Sequence, residues 1–396
     1  MRRSKRKRQA SRNTATAAVP ISDLPNHILC DILSRLPLKS IFICKRVCKT
    51  WRTIIREPEF TKLHLSTSPL SLVFYRHGNH NNYSPSSHFE ILQLHDPLVI
   101  ARRNPTMKLK TDIYFPHMNF QIVASCNGTI LLSNFASNDD PVMIVCNPLR
   151  VEHFVLPKPP ESALKTYKSV RFGFGHSPST DQYKVVRFTH SYYTARLYCD
   201  IYTIGIDDEW RNIGDIGQAP EQVLFRFFFL NGALHWLGYG GSWFICYFDI
   251  EKEQFGSFPL PSDFGKTFLH LGVVDNWLYI RDEHPSGAWK FWVMKDYGDF
   301  GSWTLEWVIE GPVTQRFNGP VKPLKMMKDG TLLMMLRSNN PRTNFSKATL
   351  ASYNPQTKVL KENKMLKSTR NSDVQIVRCG NFFGRKSKWN NCAGPL

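Results

Sequence analysis

Between residues 24 and 36, apolar residues recur at helical spacing. The apolar positions are Leu24, Ile28, Leu29, Ile32, Leu33 and Leu36. Intervals of one, three and four residues place their side chains on one broad face of a helix. Ser22 or Asp23 is expected to cap this helix, and Pro25 is tolerated in its first turn. Pro37 is expected to end it.

A second helical segment follows, with Ser40 as its expected cap and Pro58 as its end. Its apolar stripe consists of Cys44, Val47, Cys48, Trp51, Ile54 and Ile55, while Lys45, Arg46, Lys49, Arg52 and Arg56 face elsewhere. A short apolar group (Phe60, Leu63 and Leu65) could fold back against the stripe. We therefore predict two or three short helices. Their core is small, and a partner that buries the exposed stripe would stabilise it.

Beyond residue 69 the pattern changes to short apolar or alternating runs, which are typical of strands. Examples are SLVFY, TILLS, YKVVRF, WFICYFDI and TLLMML. Turn pairs such as Asn127-Gly128 and Asn231-Gly232 separate the runs. No amphipathic helix is predicted among them. The fold class is thus α+β by segments, with a small helical unit followed by a large all-β domain.

Turn-like positions in the β region recur with similar neighbours. They are residues 128, 175, 232, 276 and 330, which lie 47, 57, 44 and 54 residues apart. This degenerate period is close to the ~50 residues of a kelch-like blade, so a propeller-like architecture is favoured. A β-sandwich with a similar number of strands is the alternative.

Composition supports a globular protein, with 42% hydrophobic and 21% charged residues. The aromatic share of 13% suits a large β core. The formal net charge is +19, of which +7 comes from residues 1–12, so +12 remains for the rest. A basic surface favours acidic or phosphate-rich partners, although charge alone does not determine fold.

The nine cysteines are irregularly spaced, and no apolar run approaches the ~18 residues of a membrane helix. The basic N-terminus is not followed by the apolar stretch of a secretory signal. We therefore expect reduced, mostly buried thiols and no membrane partner.

The helical unit resembles the F-box closely. Five elements of the F-box pattern occur in the right order: Leu24-Pro25, Ile32-Leu33, Leu36-Pro37, Val47-Cys48-Lys49 and Trp51. The β region in turn resembles the plant-type F-box-associated domain. The phrases that carry this resemblance include CNPLRVEHFVLP, GFGHSPSTDQYKVV, NGALHWL, YFDIEKEQFGSFPLP and SYNPQTKVLKE, which follow one another in family order.

The resemblance implies a substrate receptor of a Skp–cullin–F-box ubiquitin ligase, without catalytic atoms or a cofactor. The F-box would dock on a Skp-type adaptor and through it on a cullin, while the β domain captures an unknown target protein. Helix-in-groove docking uses apolar anchors at helical spacing. The candidate adaptor-binding residues are Leu24, Pro25, Ile28, Ile32, Leu33, Leu36, Pro37, Val47 and Trp51. Trp51 could equally be a core residue.

The resulting domain plan has five parts. They are a disordered basic tail (1–19), the F-box (20–65), a connecting segment with the first strands (66–119), the F-box-associated β domain (120–362) and a basic C-terminal segment that could close the β domain (363–396).

The basic tail matches a nuclear-import signal, because clustered cations engage an acidic receptor groove. Its candidate residues are Arg2, Arg3, Lys5, Arg6, Lys7 and Arg8. A solvated tail or an organelle-targeting peptide is the alternative. We expect the protein in the nucleus, the cytoplasm or both.

Other chemistry was weighed and rejected. Cys44 and Cys48 lack a second ligand pair for zinc, and His77, His80, His88 and His95 are more consistent with a solvated loop than with a metal site. Ser162-x-x-Lys165 lacks companion motifs, and Gly173-x-Gly175 lacks the third glycine and helix of a dinucleotide site. His235 is predicted to be a hydrogen-bonded core residue. No set of nucleophile, base and acid was found.

Two binding functions remain as alternatives. A basic β domain could bind nucleic acid or another polyanion, although its charge is dispersed. A glycan receptor could stack sugars on tryptophan side chains, for which buried blade positions are the other explanation. The tryptophans concerned are Trp210, Trp236, Trp243 and Trp277.

Overall fold

The structure is a computed structural model of the 396-residue chain. It describes residues 21, 24–57, 59–60, 63–64, 70–76, 88–93, 107–110, 120–134, 141–147, 152–160, 168–191, 194, 196–218, 222–260, 264, 269–283, 287–310, 314, 321–340, 345–363 and 372–378. The tail with Arg2, Arg3, Lys5, Arg6, Lys7 and Arg8 lies outside these residues.

Residues 59–60 and 63–64 of the N-terminal unit are helical, and three short helices of this unit are described in full. They are α1 (Asn26–Ser34), α2 (Leu38–Cys44) and α3 (Lys49–Arg56). Pro25 and Pro37 are the N-cap residues of α1 and α2, each with ψ near 145° and no side-chain cap. The fixed φ of proline suits this position. The prediction that Ser40 caps the second helix is wrong, because Ser40 lies inside α2.

The described residues of the β domain form 24 strands. Their bounds are β1 (Leu70–Arg76), β2 (His88–Gln93), β3 (Met107–Lys110), β4 (Gln121–Cys126), β5 (Thr129–Ser133), β6 (Met143–Asn147), β7 (Glu152–Val155), β8 (Lys168–Ser177), β9 (Gln182–Ser191), β10 (Arg196–Thr203), β11 (Arg211–Gln218), β12 (Gln222–Leu230), β13 (Ala233–Tyr239), β14 (Trp243–Asp249), β15 (Gln254–Pro259), β16 (Leu269–Val274), β17 (Trp277–Glu283), β18 (Trp289–Met294), β19 (Trp303–Ile309), β20 (Val321–Met326), β21 (Leu332–Asn340), β22 (Phe345–Asn354), β23 (Val359–Asn363) and β24 (Ser372–Arg378).

These strands form six four-stranded antiparallel sheets, which are the blades of a β-propeller. Blade 1 has the order β24-β1-β2-β3, and blades 2 to 6 each use four consecutive strands. The first strand of a blade contacts the first strand of the next: β24 with β4, then β4 with β8, β8 with β12, β12 with β16 and β16 with β20. These six inner strands therefore surround the central channel.

Blade 1 joins the two ends of the β domain. β24 pairs with β1 from Leu70↔Arg378 to Arg76↔Ser372. The C-terminal strand thus supplies the inner strand of a blade whose other three strands come from the N-terminal side. The domain extends on both sides of residues 120–362, because β1–β3 precede this range and β24 follows it.

Tight turns connect the first two strands of several blades. Asn127-Gly128, Asn231-Gly232 and Asp275-Asn276 all have positive φ at both residues, as two-residue hairpin turns require. Four of the five predicted turn positions lie in such connections. The exception is Gly175, which lies inside β8.

Gly173 and Gly175 instead allow blades 3 and 4 to approach closely. A Cβ atom at Gly173 would overlap Leu234, and one at Gly175 would lie 2.8 Å from Ile250. These glycines are therefore packing positions.

The core lies between the faces of neighbouring blades. Phe188 and Trp236 fill the space between blades 3 and 4, and Phe291 and Met334 that between blades 5 and 6. Five of the seven described cysteines are buried and all seven are free thiols. Burial raises the pKa of Cys246 to about 12. The expectation of reduced, mostly buried thiols is thus confirmed for the described cysteines.

Candidate functional site

Helix α1 presents alternate apolar residues to the core and to the solvent. Leu29 and Leu33 are each 1% exposed and belong to the core. Ile28 and Ile32 lie one position earlier, 40% and 39% exposed, and they share one side of the helix because they are four residues apart. Of the predicted contact residues on α1, Leu33 is thus covered by its own domain. We remove it from the contact set.

Two further apolar side chains in the neighbouring segments are exposed to solvent. Ile43 is 60% exposed and Val47 is 59% exposed. Ile21, which precedes α1, is 52% exposed. Ile43 and Ile21 were not among the predicted site residues. Ile43 was missed because a single helix starting at Ser40 was assumed, whereas α2 starts at Leu38 and ends at Cys44.

The remaining predicted residues border the exposed apolar positions. Leu24, Leu36 and Trp51 are half-buried and pack against the core cluster, so each contributes to both the core and the surface. Pro25 and Pro37 are exposed at the starts of α1 and α2. We define the docking face as Ile21, Leu24, Pro25, Ile28, Ile32, Leu36, Pro37, Ile43, Val47 and Trp51.

The backbone beside Val47 is held by side-chain hydrogen bonds. Cys48 is the N-cap residue of α3, and its Sγ accepts a hydrogen bond of 3.4 Å from the Trp51 backbone N–H. The Arg52 Nε donates to the Lys45 carbonyl oxygen at 3.2 Å. These bonds fix the break between α2 and α3, which turns Val47 towards the solvent. Cys48 therefore acts as the N-cap of α3.

The docking face has a basic border. Exposed or half-exposed cations lie on and between α1, α2 and α3, namely Arg35, Lys45, Arg46, Lys49, Arg52 and Arg56. Asp31, Glu57 and Glu59 are the described acids in the same helices and their flanks, and the Asp31 carboxylate pairs with Arg35 at 2.9 Å. The excess of cations favours a partner whose own docking site is bordered by carboxylates.

A buried histidine, His64, contacts the C-terminal end of α1. The His64 Nδ1 lies 2.7 Å from the Ser34 carbonyl oxygen, and its ring stacks on Phe60 at 5.7 Å. Burial lowers the pKa of His64, so the ring is neutral near pH 7. This contact helps to hold the end of α1 against residues 60–64.

Candidate residues in the β domain are mostly structural. His235 is 0% exposed; its Nε2 lies 2.8 Å from the Tyr297 hydroxyl and its Nδ1 3.3 Å from the Phe228 carbonyl oxygen. Its prediction as a hydrogen-bonded core residue is confirmed. Trp210 and Trp236 are buried, which removes them as sugar platforms.

The other two tryptophans are half-exposed. Trp243 makes an edge contact with Tyr239 at 5.2 Å, and the Lys295 ammonium covers the Trp277 ring at 4.3 Å. A sugar could therefore stack on Trp277 only after Lys295 had moved.

Several other candidates fall outside the described residues. Ser162, Lys165, His77, His80 and His95 are among them, and of His88 only the backbone in β2 is described. Within the described part of the chain, no three His, Cys, Asp or Glu side chains are grouped to hold a metal ion. No described helix is long and apolar enough to span a membrane.

Comparison with known proteins agrees with this architecture. Residues 21–63 match the F-box domain, and residues 70–378 match the F-box associated beta propeller domain. An Arabidopsis thaliana relative, At1g53370, is 32% identical over 247 residues, which cover 59% of this chain and 61% of that protein. The F-box/kelch-repeat protein At3g23880 from the same plant is 24% identical over 341 residues, with 79% and 85% coverage.

Solved structures match the chain only at low similarity. The SapL1 lectin in complex with alpha methyl fucoside has a TM-score of 0.41 and 10% identity, with 76% of this chain and 97% of that chain covered. At this level of similarity, nothing about function follows.

Proposed function

The chain belongs to the F-box proteins that carry an F-box associated β-propeller domain, and from this membership we propose that it is the target-recognition subunit of a Skp–cullin–F-box ubiquitin ligase. In this role the F-box holds a Skp-type adaptor and the propeller holds a target protein. The chain joins two proteins and supplies no catalytic atoms.

The exposed apolar side chains of the F-box carry this proposal. Ile28, Ile32, Ile43 and Val47 are 39–60% exposed on one small unit, although the same unit buries Leu29, Leu33 and Ile55 almost completely. Exposed apolar groups of this kind mark protein-binding surfaces, because leaving them in water is unfavourable.

The expected partner can be described by its chemistry. It offers an apolar groove to the docking face, into which isoleucine and valine side chains insert at helical spacing. Carboxylates border the groove and attract the basic rim, which accelerates association at low salt. A Skp-type adaptor with such a groove would link the chain to a cullin.

Target capture is assigned to the propeller. Binding a target there raises its effective concentration near the ubiquitin-charged enzyme that the cullin brings. Loops at one end of a β domain commonly carry such recognition, because they vary without disturbing the blades.

Co-purification with a Skp-type adaptor tests the docking face. We expect wild-type protein to retain the adaptor and the double variant Ile28→Arg/Val47→Arg to lose it. A charge buried without a partner weakens an interface by several kcal/mol, which corresponds to at least a tenfold loss of affinity. Both side chains are exposed in the free chain, so folding is preserved.

Ile206→Arg is the matched control, because Ile206 is an equally exposed apolar residue (56%) on the propeller. This variant should retain the adaptor. Retention by the double variant, or its loss by Ile206→Arg as well, would contradict docking through the F-box face.

We further propose that the basic tail directs the protein to the nucleus. Clustered Arg and Lys side chains fit an acidic import receptor. A fluorescent fusion of the full chain should accumulate in nuclei, and replacing Arg2, Arg3, Lys5, Arg6, Lys7 and Arg8 with alanine should shift it to the cytoplasm. An unchanged distribution would contradict this assignment.

A further inference from the structure

The connection between β18 and β19 in blade 5 holds two aromatic side chains in the solvent. It spans residues 295–302, in which Tyr297 is 42% and Phe300 is 45% exposed. They are the only exposed aromatic side chains among the described residues of the β domain. Aromatic rings usually contribute to stability by being buried, so two exposed rings in one short connection indicate a binding surface.

Hydrogen bonds fix the backbone of this connection. The Ser302 Oγ donates to the Asp299 carbonyl oxygen at 2.7 Å, and the Asp296 N–H donates to the same Oγ at 3.1 Å. The Asp299 Oδ1 accepts a hydrogen bond of 2.9 Å from the Gly301 N–H. A connection held in this way keeps both rings in one place, which reduces the entropy lost when a ligand binds.

Both rings also contact blade 4. The Phe300 ring stacks on Phe258 in β15 with the ring centres 5.1 Å apart, and the Tyr297 hydroxyl lies 2.8 Å from the His235 Nε2. The His235 Nδ1 faces the Phe228 carbonyl oxygen, which can only accept a hydrogen bond. Nδ1 therefore carries the proton, and the Tyr297 hydroxyl donates to Nε2. The tyrosine oxygen keeps its capacity to accept a hydrogen bond from a ligand.

Carboxylates lie beside the two rings. Asp296 and Asp299 are exposed neighbours of the rings in the chain, and Asp249 ends β14 on the face of blade 4 that carries the histidine. The turn after β14 adds Glu251 and Lys252, whose charges cancel. Among the described residues, no cation forms an ion pair with Asp249, Asp296 or Asp299. This local excess of acid contrasts with the net charge of +19 of the whole chain.

A lysine in the same connection shows how a cation occupies such a set of groups. The Lys295 ammonium lies 4.3 Å from the centre of the Trp277 ring and 2.7 Å from the Glu306 Oε2. It is thus held between an aromatic ring and a carboxylate, both of which attract a cation. The exposed rings and their carboxylates offer the same two kinds of group, but without a cation from the described part of the chain.

We propose that Tyr297, Phe300, Asp296 and Asp299 form a docking site, the acidic aromatic site, for a basic segment of a target protein. An arginine or lysine side chain of the segment would lie against an exposed ring and pair with a carboxylate beside it. The carboxylates would repel an acidic segment. This inference rests on the proposed function, because it names the chemistry of the target that the propeller holds.

Peptide binding to the purified full chain tests the proposal. The probe is a short fluorescein-labelled peptide of alternating arginine and glycine, with fluorescence anisotropy as the readout. Comparison peptides carry glutamine or proline in place of arginine. We expect saturable binding of the arginine peptide that weakens as salt rises, because salt screens exposed charges. Equal binding of the glutamine peptide would overturn the proposal, and tighter binding of the proline peptide would assign the surface to a proline-rich segment instead.

Two substitutions of Phe300 separate the role of the aromatic ring from that of apolar area. Phe300→Leu keeps an apolar side chain but removes the ring, and it should weaken binding about threefold to fivefold, as expected for an exposed cation–π contact. Phe300→Tyr keeps the ring and should bind like the wild type. Ile206→Ala is the control, because Ile206 is an exposed apolar residue in the equivalent connection of blade 3. It should also bind like the wild type.

A double variant tests the carboxylates. Asp296→Asn/Asp299→Asn removes two charges, while the amide oxygen at position 299 can still accept from the Gly301 N–H. Binding at low salt should weaken about threefold and depend less on salt, because exposed charge pairs contribute modestly and are screened. Asp208→Asn/Glu209→Gln is the matched control, because it removes the same charge from exposed positions in the equivalent connection of blade 3.

No binding of the arginine peptide by the wild type would overturn the proposal. So would wild-type affinity of Phe300→Leu, or equal weakening by the two charge variants. The adaptor takes no part in these measurements. Protein that retains the adaptor but not the peptide would therefore refute the acidic aromatic site alone, whereas protein that binds the peptide but no adaptor would refute the proposed function.

Discussion

At the scale of single residues, glycines facing tyrosines show how closely the strands are packed. Gly272 in β16 is paired with Tyr279 in β17, and Gly256 in β15 with Tyr247 in β14. In each pair a Cβ atom at the glycine would overlap the tyrosine ring, which lies across the strand. The sequence offered no sign of this role, because a glycine within a strand is equally compatible with a bulge.

Gly272→Ala should therefore destabilise the protein. The added methyl group must displace the Tyr279 ring, which is 3% exposed and has no free space, and overpacking of this kind costs about 1–3 kcal/mol. Urea unfolding should show a lower midpoint. Gly240→Ala is the matched control, because its Cβ would lie 3.7 Å from Phe244, an ordinary contact. Equal midpoints for the two variants would contradict the packing argument.

His235 makes stability depend on pH. Burial lowers its pKa to about 4 from an ordinary value of 6.5. The unfolded chain therefore takes up a proton at a higher pH than the folded one. The resulting stabilisation is complete above pH 6.5 and is lost as the pH falls from 6.5 towards 4. A shift of this size corresponds to about 3 kcal/mol.

The measurement compares wild type with His235→Gln in urea at several pH values. The difference in unfolding free energy between the two should shrink by about 3 kcal/mol as the pH falls from 7 to 4. His153→Gln, at an exposed position, should follow the wild-type curve. A constant difference between wild type and His235→Gln would contradict a neutral, buried imidazole.

At the scale of elements, the sequence predicted the kind of element better than its ends. Apolar spacing indicated helices before Pro58 and strands beyond residue 69, and both occur. The break at residues 45–48 was missed because the apolar stripe continues across it. Proline at ψ near 145° starts both α1 and α2, whereas polar cap residues were expected. Local residue propensity does not determine whether a helix begins after a proline or after a polar cap residue, because this depends on packing.

β24 is the element on which closure of the propeller depends. Without it, β1 would present an unpaired edge towards the channel, and exposed edges promote aggregation. We expect a chain truncated after residue 371 to melt at a lower temperature and to aggregate, whereas truncation after residue 378 leaves β24 in place. Light scattering during a thermal ramp compares them. Similar behaviour of the two truncations would show that β24 is dispensable.

At the scale of the whole molecule, the repeat in the sequence correctly predicted a propeller but could not supply the number of blades. Blade 1 was the obstacle, since its strands come from both ends of the domain and it shows no continuous repeat. Ile21 and Ile43 are exposed although they were not among the predicted contact residues, and the predicted contact residue Leu33 is buried.

The core also links the F-box to the propeller. Leu29 and Ile55 of the F-box belong to the same buried cluster as Ile130 and Leu132 of blade 2. A continuous apolar core resists independent movement of its parts, since separating them would expose apolar surface to water. The adaptor and a target held by the propeller would then keep a fixed relative orientation.

Hydrogen exchange of the full chain tests this link. Ile55→Ala leaves a cavity in the shared cluster and should cost about 2–5 kcal/mol. We expect faster amide exchange in α1 and α3 and also in β4 and β5, because local stability is shared within one cooperative unit.

Ile280→Ala is the matched control: Ile280 is equally buried, but it lies in the cluster between blades 4 and 5. It should accelerate exchange in β16 and β17 and leave the helices unchanged. If Ile55→Ala accelerates exchange in the helices alone, the F-box unfolds independently and the orientation of the two domains is set by their linker.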